Sequence, residues 1–285
     1  MSDNSPLTVD QTIIKEFHDK IKSLPLYENY DLRTDDKFLT RFLKAFDMDI
    51  SKSVKGYKAY YEMLIDLPRS KDFISGKEED RKWFYETLAK IEKDAKEKHN
   101  LDYPMFAYYG KDQKNRAIIG MDGSASSPFI SYPNFLDASI YGTVLVFDYI
   151  LEKFDYCQDN GFVMIDDWEK FNAKMMSFYM KHPNFMKTFN TIISGAMPLK
   201  INQYYIVKGP TFFTAMYNAT KMFLSDKMKS RMCFTSSTTA VKKDIGEDCL
   251  PKFFAKGTRK HVLGGDGIED IEERIMKIFP KARNL

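Results

Sequence analysis

Cysteine and histidine are scarce in this 285-residue sequence, and their spacing excludes several kinds of site. The cysteines are odd in number and far apart: Cys157, Cys233 and Cys249. This pattern excludes a disulfide framework and a CxxC metal site, so we expect reduced thiols in a cytoplasmic protein. The histidines show no metal-ligand spacing either: His18, His99, His182 and His261. We therefore predict no metal and no cofactor.

Long apolar runs and a one-sided charge are also missing. No apolar stretch reaches the roughly 20 residues that cross a bilayer. The N-terminal MSDNSPLTVD lacks the basic-then-apolar layout of a signal peptide. The formal net charge of +3 is too small to indicate nucleic-acid binding. We expect a soluble intracellular protein that binds no nucleic acid.

Enzymatic chemistry has no recognisable arrangement of residues in this chain. No nucleophile has an identifiable base. The adjacent carboxylates Asp166 and Asp167 suggest an acid/base pair. Successive residues of a strand point to opposite faces of a sheet, however, so these two cannot flank one substrate together. We predict that the protein is not an enzyme.

Aromatic residues and methionine are abundant, with 23 Phe, 17 Tyr and 16 Met. Such side chains build large cores, and they also line adaptable apolar pockets. Composition alone does not distinguish a large aromatic core from an apolar pocket. The positions of these residues along the chain are needed to choose between them.

The stretch from 161 to 234 organises the chain. Three short apolar runs, GFVMI, INQYYIV and MCF, are separated by helical segments, which is typical of parallel strands with crossover helices. A Gly-Pro break at Gly209 and Pro210 is followed by a segment crowded with large apolar residues up to Leu224. This stretch favours a cavity that encloses something apolar.

The N-terminal part has helical periodicity. We predict a helix over 9–24, an N-cap at Asp35 before an apolar stripe, and a second helix restarting near Asp49. The stripe consists of Phe38, Leu39, Phe42, Leu43 and Phe46. A charged surface helix over 77–100 then loses its apolar face, which favours a domain boundary near residue 100.

The remaining segments connect these parts. MFAYYG and RAIIGM flank a polar tip and predict a hairpin, and DGSASSP is a turn. Long helices are expected over 134–154 and over 171–194, with Pro183 at a first turn or kink. A short strand over 253–257 and an amphipathic helix over 268–279 close the chain.

The order of these pieces resembles the CRAL-TRIO (Sec14-like) lipid-transfer family, most closely the branch of alpha-tocopherol transfer protein and retinaldehyde-binding protein. The resemblance covers roughly residues 34–265, and its motifs are FLTRFLKAFDMDISKSVKGYKAYY, GFVMIDD, MPLKINQYYIV, GPTFF, KMFLSDKMKSRM and LPKFFAKG. It implies an N-terminal helical unit over 1–100. An α/β/α lipid-binding domain over 101–285 would follow, with a mostly parallel sheet, a helical gate over 210–224 and a C-terminal helix.

The resemblance also implies ligand-facing positions, and ordinary core packing is the alternative for each. These positions are Tyr141, Val144, Phe162, Phe189, Ile192, Ile193, Met197, Ile201, Tyr204, Phe213 and Met216. A phosphoinositide-binding cluster is implied at Lys200, Lys227 and Arg231, where Asn202 replaces a further Arg. Lys227 and Arg231 are spaced i, i+4, so one helix face can present both charges. A solvated helix end is the alternative for this cluster.

The sequence departs from the family pattern in places. VKGP stands where the family has Asn before the gate proline, and LPKFFAKG stands in place of a closing LPxEYGG. Asp148 and Asp166 fall near the implied cavity. Because a buried carboxylate is costly without a partner, either these two face away or the ligand has a polar head.

The resemblance implies a monomeric cytoplasmic carrier, peripheral to membranes. It would bind a tocopherol-, retinoid-, carotenoid- or other isoprenoid-like lipid in a gated cavity and release it at phosphoinositide-containing membranes. Phospholipid exchange and a lipid-responsive regulatory interaction module are the alternatives.

Overall fold

The computed structural model of the protein describes residues 9–66, 106–132, 135–250 and 281–282, with isolated helical positions at 86, 90, 93–94 and 97–98. The helix expected over 77–100 therefore lies largely outside the described residues. The closing strand over 253–257 and the helix over 268–279 lie outside them entirely.

The N-terminal part is helical. Its elements are α1 (Gln11–Lys22), α2 (Pro25–Asn29), β1 (Tyr30–Asp31), α3 (Asp36–Ala45) and α4 (Ile50–Asp66). The predicted N-cap at Asp35 is confirmed, because its carboxylate accepts a hydrogen bond from the Phe38 N–H at 3.0 Å. The predicted stripe is buried from Phe38 to Leu43, where its rings pack edge-to-face against the tyrosines of α4.

One five-stranded sheet forms the centre of the rest of the described chain. Its strands are β2 (Phe106–Lys111), β3 (Ala117–Asp122), β4 (Phe162–Asp167), β5 (Ile201–Val207) and β6 (Met232–Thr235), in the order β2-β3-β4-β5-β6. The β2–β3 pair is antiparallel, and every other pair is parallel. The predicted hairpin and the three predicted parallel strands are confirmed.

Helices connect the strands. They are α5 (Phe135–Lys153), α6 (Tyr156–Asn160), α7 (Ala173–Met180), α8 (Pro183–Thr191), α9 (Phe213–Thr220), α10 (Asp226–Arg231) and α11 (Thr239–Ile245). The helix expected over 171–194 is divided, because Pro183 lacks an N–H and begins a new helix at α8. A π-turn, Ile192–Ala196, extends α8. DGSASSP forms a 3-10 helix, Gly123–Phe129, where a simple turn was expected.

The two faces of the sheet have different cores. Strand residues alternate between faces, and in-register neighbours share a face. Ile118, Val163 and Ile165 lie on one face and pack against Val241 and Ile245 of α11. Ile119, Met164 and Tyr204 lie on the opposite face, in the larger core that also includes the N-terminal helices. The predicted α/β fold with a mostly parallel sheet is therefore confirmed.

The N-terminal helices contact the second half of the chain through charged groups as well. Arg41 of α3 is buried, and its Nη1 lies 2.8 Å from Asp148 Oδ1 on α5. Arg41 also binds Glu152, which Arg33 contacts at 3.0 Å. Asp148 therefore faces Arg41 on α3. Of the two alternatives for this carboxylate, it faces away from the implied cavity and does not meet a ligand head. Near the C-terminus, β7 (Lys281–Ala282) pairs antiparallel with β1.

Candidate functional site

A cavity of about 700 Å³, counted with its mouth to solvent, lies on the face of the sheet that carries Tyr204. Strand residues form its floor: Met121, Tyr204, Ile206 and Met232. Nearly all of the lining is apolar or aromatic. Without the space open to solvent the cavity holds about 70 Å³, which is below the range of about 300–1,000 Å³ usual for small-molecule sites, so a lipid would fit only after the cover or wall moves.

Helices α7 and α8 form the wall of this cavity. Its lining residues here are Tyr179, Phe185, Met186, Phe189 and Asn190, followed by Ile193 of the π-turn. Within α8, Phe185, Met186 and Phe189 follow the i, i+1, i+4 pattern that places apolar side chains on one helix face. The sequence therefore directs one side of α8 toward the sheet.

Helix α9 covers the cavity. Phe213 and Tyr217 point into it, and Leu224 lies beyond the end of the helix. Phe213 packs against Trp168 with ring centroids 4.8 Å apart. This contact joins the cover to the end of β4, so the cover is held by aromatic packing.

The connection from β5 to α9 is a tight turn. Lys208 adopts a left-handed backbone with φ 57°, and its N–H donates to Thr235 O at 2.8 Å. Pro210 follows, and its carbonyl accepts from the Phe213 N–H at 2.8 Å. The Gly-Pro break predicted from the sequence therefore turns the chain from the sheet edge into the cover.

Gly123 allows Trp168 to lie against the backbone. A Cβ added at Gly123 would stand 2.7 Å from the Trp168 ring, closer than real Cβ contacts. Gly123 and Trp168 both line the cavity. A larger residue at 123 would therefore displace the indole and reshape the floor.

The implied ligand-facing positions divide into groups. Phe189, Ile193, Tyr204 and Phe213 line the cavity. Tyr141 lines a neighbouring, more polar depression that shares Phe185 with the cavity. The rest that the structure describes are buried in the adjoining core and are not among the cavity-lining residues: Val144, Phe162, Ile192, Met197 and Ile201. Met216 belongs to α9, and its side chain is outside the described part of the structure.

Several lining residues were not among the implied positions: Met121, Trp168, Tyr179, Phe185 and Met186. The apolar stripe of α8 was a usable signal for two of them. Trp168 follows the end of β4 by one residue, and no periodicity marks such a position. Its role depends on the approach of α9 and Gly123, which lie far away in sequence.

One carboxyl group is buried beneath the cavity floor. Asp166 pairs in register with Met121 on β3 and Ile206 on β5, which both line the cavity, so it lies on the same face. The Tyr204 hydroxyl donates a hydrogen bond to Asp166 Oδ2. Burial raises the pKa of Asp166 to about 8, against the opposing effect of the Tyr204 hydroxyl and the nearby Trp168 indole. Asp167 instead accepts from the Glu169 N–H at 2.9 Å.

The basic residues implied for phosphoinositide binding lie where β5 begins and α10 ends. Lys200 Nζ donates to Asp159 O at 3.2 Å, and the Arg231 guanidinium donates to the carbonyl of Ile201. Arg231 is therefore held beside the residue that follows Lys200. Lys227 is exposed one helical turn earlier on α10. Among large apolar side chains, Met222 is 75% exposed just beyond α9.

In the described part of the chain, no helix combines the length and hydropathy of a membrane span.

Comparisons with known proteins agree with this architecture. A family model of the CRAL/TRIO domain matches residues 102–255, just over half of the chain. Clavesin-1 of Xenopus laevis is 24% identical over 227 residues, which are 78% of this chain and 61% of that protein. Clavesin-1 of Rattus norvegicus is 26% identical over 204 residues, which are 70% of this chain and 51% of that protein. The chain thus spans less than two thirds of the length of these curated relatives.

A solved structure has the same fold. The "Crystal structure of Sfh5" superposes with a TM-score of 0.54 at 15% sequence identity, covering 95% of this chain and 100% of that chain. At this identity the likeness concerns the fold alone.

Proposed function

The chain belongs to the CRAL/TRIO domain family, and from this premise we propose that it is a non-enzymatic carrier that binds one hydrophobic lipid in the cavity above its sheet and moves it between membranes. The observation that carries this proposal is the apolar cavity closed by α9. The carrier acts as a monomer in the cytoplasm, at the surface of membranes. The division at residue 100 into an N-terminal helical unit and a lipid-binding domain is part of the same proposal.

Binding in this cavity needs no covalent chemistry. Removing apolar surface from water contributes about 25 cal/mol per Å². A lipid enclosed by Phe185, Met186 and Phe213 therefore gains affinity from burial alone. Release then requires α9 to move away from Trp168, and Gly209 at the start of the connection supplies backbone freedom for that movement.

We propose an isoprenoid-like lipid as the ligand, of tocopherol, retinoid or carotenoid type. Methionine and aromatic side chains adapt to rings and branched chains. The cavity itself holds about 70 Å³ in this structure, so α9 has to move outward to admit one molecule of this size class. We also propose that, within the family, the protein is most similar to the branch of alpha-tocopherol transfer protein and retinaldehyde-binding protein.

Phospholipid exchange is the second candidate, and one observation favours it. The polar depression beside the cavity shares Phe185 with it and is lined by groups of both charges: Lys181, His182, Lys187, Asp66 and Asp137. A lipid whose chains fill the cavity could place a zwitterionic headgroup there. The mass of the bound species separates the two candidates.

The first test is native mass spectrometry after exposure of the protein to a total lipid extract. We expect one stoichiometric hydrophobic adduct, which organic extraction then identifies. A folded protein that retains no adduct from a mixed lipid pool would contradict the carrier function.

We propose further that release takes place at phosphoinositide-containing membranes. Lys200, Lys227 and Arg231 supply positive charge, and exposed Met222 supplies an apolar contact beside the cover. Each basic residue near an anionic membrane surface contributes about 1 kcal/mol. The membrane contact would then lie next to the helix that has to open.

The triple substitution Lys200→Ala, Lys227→Ala, Arg231→Ala tests this release site. We expect binding to phosphoinositide liposomes to fall by about tenfold or more, since three charges are lost. Lys15→Ala, Lys55→Ala, Lys58→Ala removes three exposed charges from the N-terminal helices and serves as the control. Equal binding of the two triple variants would remove the proposed release site and leave the carrier function standing.

A further inference from the structure

The floor of the cavity has one polar spot, formed by Asp166, Tyr204 and Trp168. Tyr204 and Trp168 line the cavity, and Asp166 lies between its cavity-lining neighbours Met121 and Ile206. The side chain of Asp166 is wholly buried, and Trp168 is only 9% exposed. A carboxyl group therefore lies directly beneath an otherwise apolar surface.

Two atoms of this spot have no hydrogen-bond partner among the described residues. They are Asp166 Oδ1 and the indole Nε1 of Trp168. The Tyr204 hydroxyl binds the other carboxyl oxygen and leaves Oδ1 unpaired. Buried polar atoms without partners lose the hydrogen bonds that they make in water, so native structures seldom leave a donor and an acceptor unpaired at one site.

The two atoms lie close enough to influence each other. The Trp168 indole lowers the pKa of Asp166 against the larger effect of burial, although no hydrogen bond of acceptable geometry joins them. Asp166 and Trp168 are two residues apart at the end of β4, and Trp168 and the strand neighbours of Asp166 line the same cavity. The molecule thus holds a donor and a carboxyl oxygen, both without a partner among the described residues, next to one cavity.

The hydrogen-bonding capacity of Trp168 Nε1 and Asp166 Oδ1 determines which ligand group can bind both atoms. A hydroxyl accepts from the indole N–H and donates to a carboxylate oxygen, and it can also accept from a protonated carboxyl group. It therefore fits Asp166 in either protonation state. A hydrocarbon would leave both atoms unpaired, and a carboxylate or phosphate would have to leave water with its charge and enter an otherwise apolar site.

We propose that the lipid held in this cavity carries one uncharged hydroxyl group, and that this hydroxyl binds between Trp168 Nε1 and Asp166 Oδ1. The inference rests on the proposed carrier function and narrows its ligand to an apolar alcohol. Asp166 is fully buried and Trp168 is the partly exposed member of the pair, so we expect the hydroxyl to approach from the Trp168 side.

Displacement of the uncharged dye Nile red by dodecanol, dodecane and dodecanoate tests this inference on the full chain. We expect wild-type protein to bind dodecanol about tenfold more tightly than dodecane, as two hydrogen bonds predict, and to bind dodecanoate no better than dodecane. Two variants should lose the preference for the alcohol. Trp168→Phe removes the indole N–H, and Asp166→Val with Tyr204→Phe removes the carboxyl group without leaving the tyrosine hydroxyl unpaired.

Phe185→Leu is the matched control, because it trims an apolar wall residue away from the polar spot. This variant should bind all three compounds more weakly by a similar factor, and it should keep the preference for dodecanol over dodecane. Equal affinity of wild-type protein for dodecanol and dodecane would overturn the hydroxyl site and leave the carrier function intact. The same holds if both polar variants keep the preference. Failure of all three compounds to displace the dye would overturn both proposals.

Discussion

Among single residues, Asp166 has the most consequential environment. Its carboxyl group is fully buried, and burial raises its pKa to about 8 from an ordinary value of 3.8, while Asp167 adds a smaller effect in the same direction. The folded protein therefore binds a proton that the unfolded chain has released between these two values. The stability contributed by the neutral form is complete below about pH 4 and is lost as the pH rises through about 8.

Asp166→Asn should remove this dependence. An amide keeps the shape and still accepts a hydrogen bond from Tyr204, but it does not titrate. We expect the free energy of unfolding of the variant to exceed that of the wild type at about pH 9 by a few kcal/mol, and the difference to shrink toward about pH 4. Urea titrations across this range measure it, with Asp167→Asn as the comparison that should reduce the slope only slightly, because Asp167 makes the smaller contribution to the raised pKa. Parallel curves for Asp166→Asn and wild type would contradict the raised pKa.

Lys208 is the second residue whose conformation has consequences. Its φ of 57° is a left-handed backbone, which costs most residues about 1–2 kcal/mol but suits Asn and Gly. The family that the sequence resembles usually has Asn here. The backbone therefore explains a preference that the motif alone leaves unexplained.

Lys208→Asn should stabilise the protein by about 1 kcal/mol. The lost ion pair with Glu169 at 3.0 Å is largely exposed and contributes little. Urea unfolding of this variant beside Lys208→Val, whose β-branch disfavours a left-handed backbone, checks the assignment. An equal stability of the two variants would show that the backbone is not strained.

At the scale of elements, the contact between α3 and α5 depends on charge in a buried place. Burial alone would raise the pKa of Glu152, but Arg41 and Arg33 lower it to about 2. Asp148 is only 2% exposed and has Arg41 as its partner. Removing Arg41 would leave the buried Asp148 without this partner, whereas Glu152 would keep Arg33 and Lys37.

Arg41→Met should destabilise the protein by about 3–5 kcal/mol, because it leaves Asp148 charged and buried. Arg41→Met combined with Asp148→Leu should recover much of that loss. Lys37→Met, on the exposed side of α3, should cost less than about 1 kcal/mol. The urea midpoints of the three variants and the wild type measure these differences. A double variant that is no more stable than Arg41→Met alone would contradict the proposed role of the buried ion pair.

At the scale of the whole molecule, the N-terminal helices and the sheet share one core. Phe42 of α3, Tyr60 of α4, Phe147 of α5 and Tyr204 of β5 belong to the same buried cluster. Together with the ion pairs of Arg41, this continuity predicts that the two sequence-defined parts unfold together.

Tryptophan fluorescence and far-ultraviolet circular dichroism should therefore report one coincident urea transition. Phe42→Ala in α3 should lower both midpoints equally, by about 3–5 kcal/mol of unfolding free energy, since a core aromatic is lost. Two separated transitions, with only the helical signal shifted by this variant, would show independent domains.

Local sequence patterns were sufficient to predict most of the described helices and strands. The cap at Asp35, the strand from Ile201 to Val207 and the break at Pro183 follow from residues that lie within one turn or one strand of each other. The resemblance to the family, and not a local pattern, implied that the apolar segment after Pro210 is a cover. Its exact partners, such as Trp168, were not predicted, because ring contacts join residues far apart in the chain.

The sequence by itself determined the α/β class, the parallel strands and the apolar character of the cavity, because periodicity and turn residues act over short distances. Tertiary structure alone decided which groups bind two buried carboxyl groups. Asp148 pairs with Arg41, which lies 107 positions away, and Asp166 accepts from the Tyr204 hydroxyl, 38 positions away. A buried polar group needs a partner in space, and no local pattern encodes which distant residue the fold will bring to it.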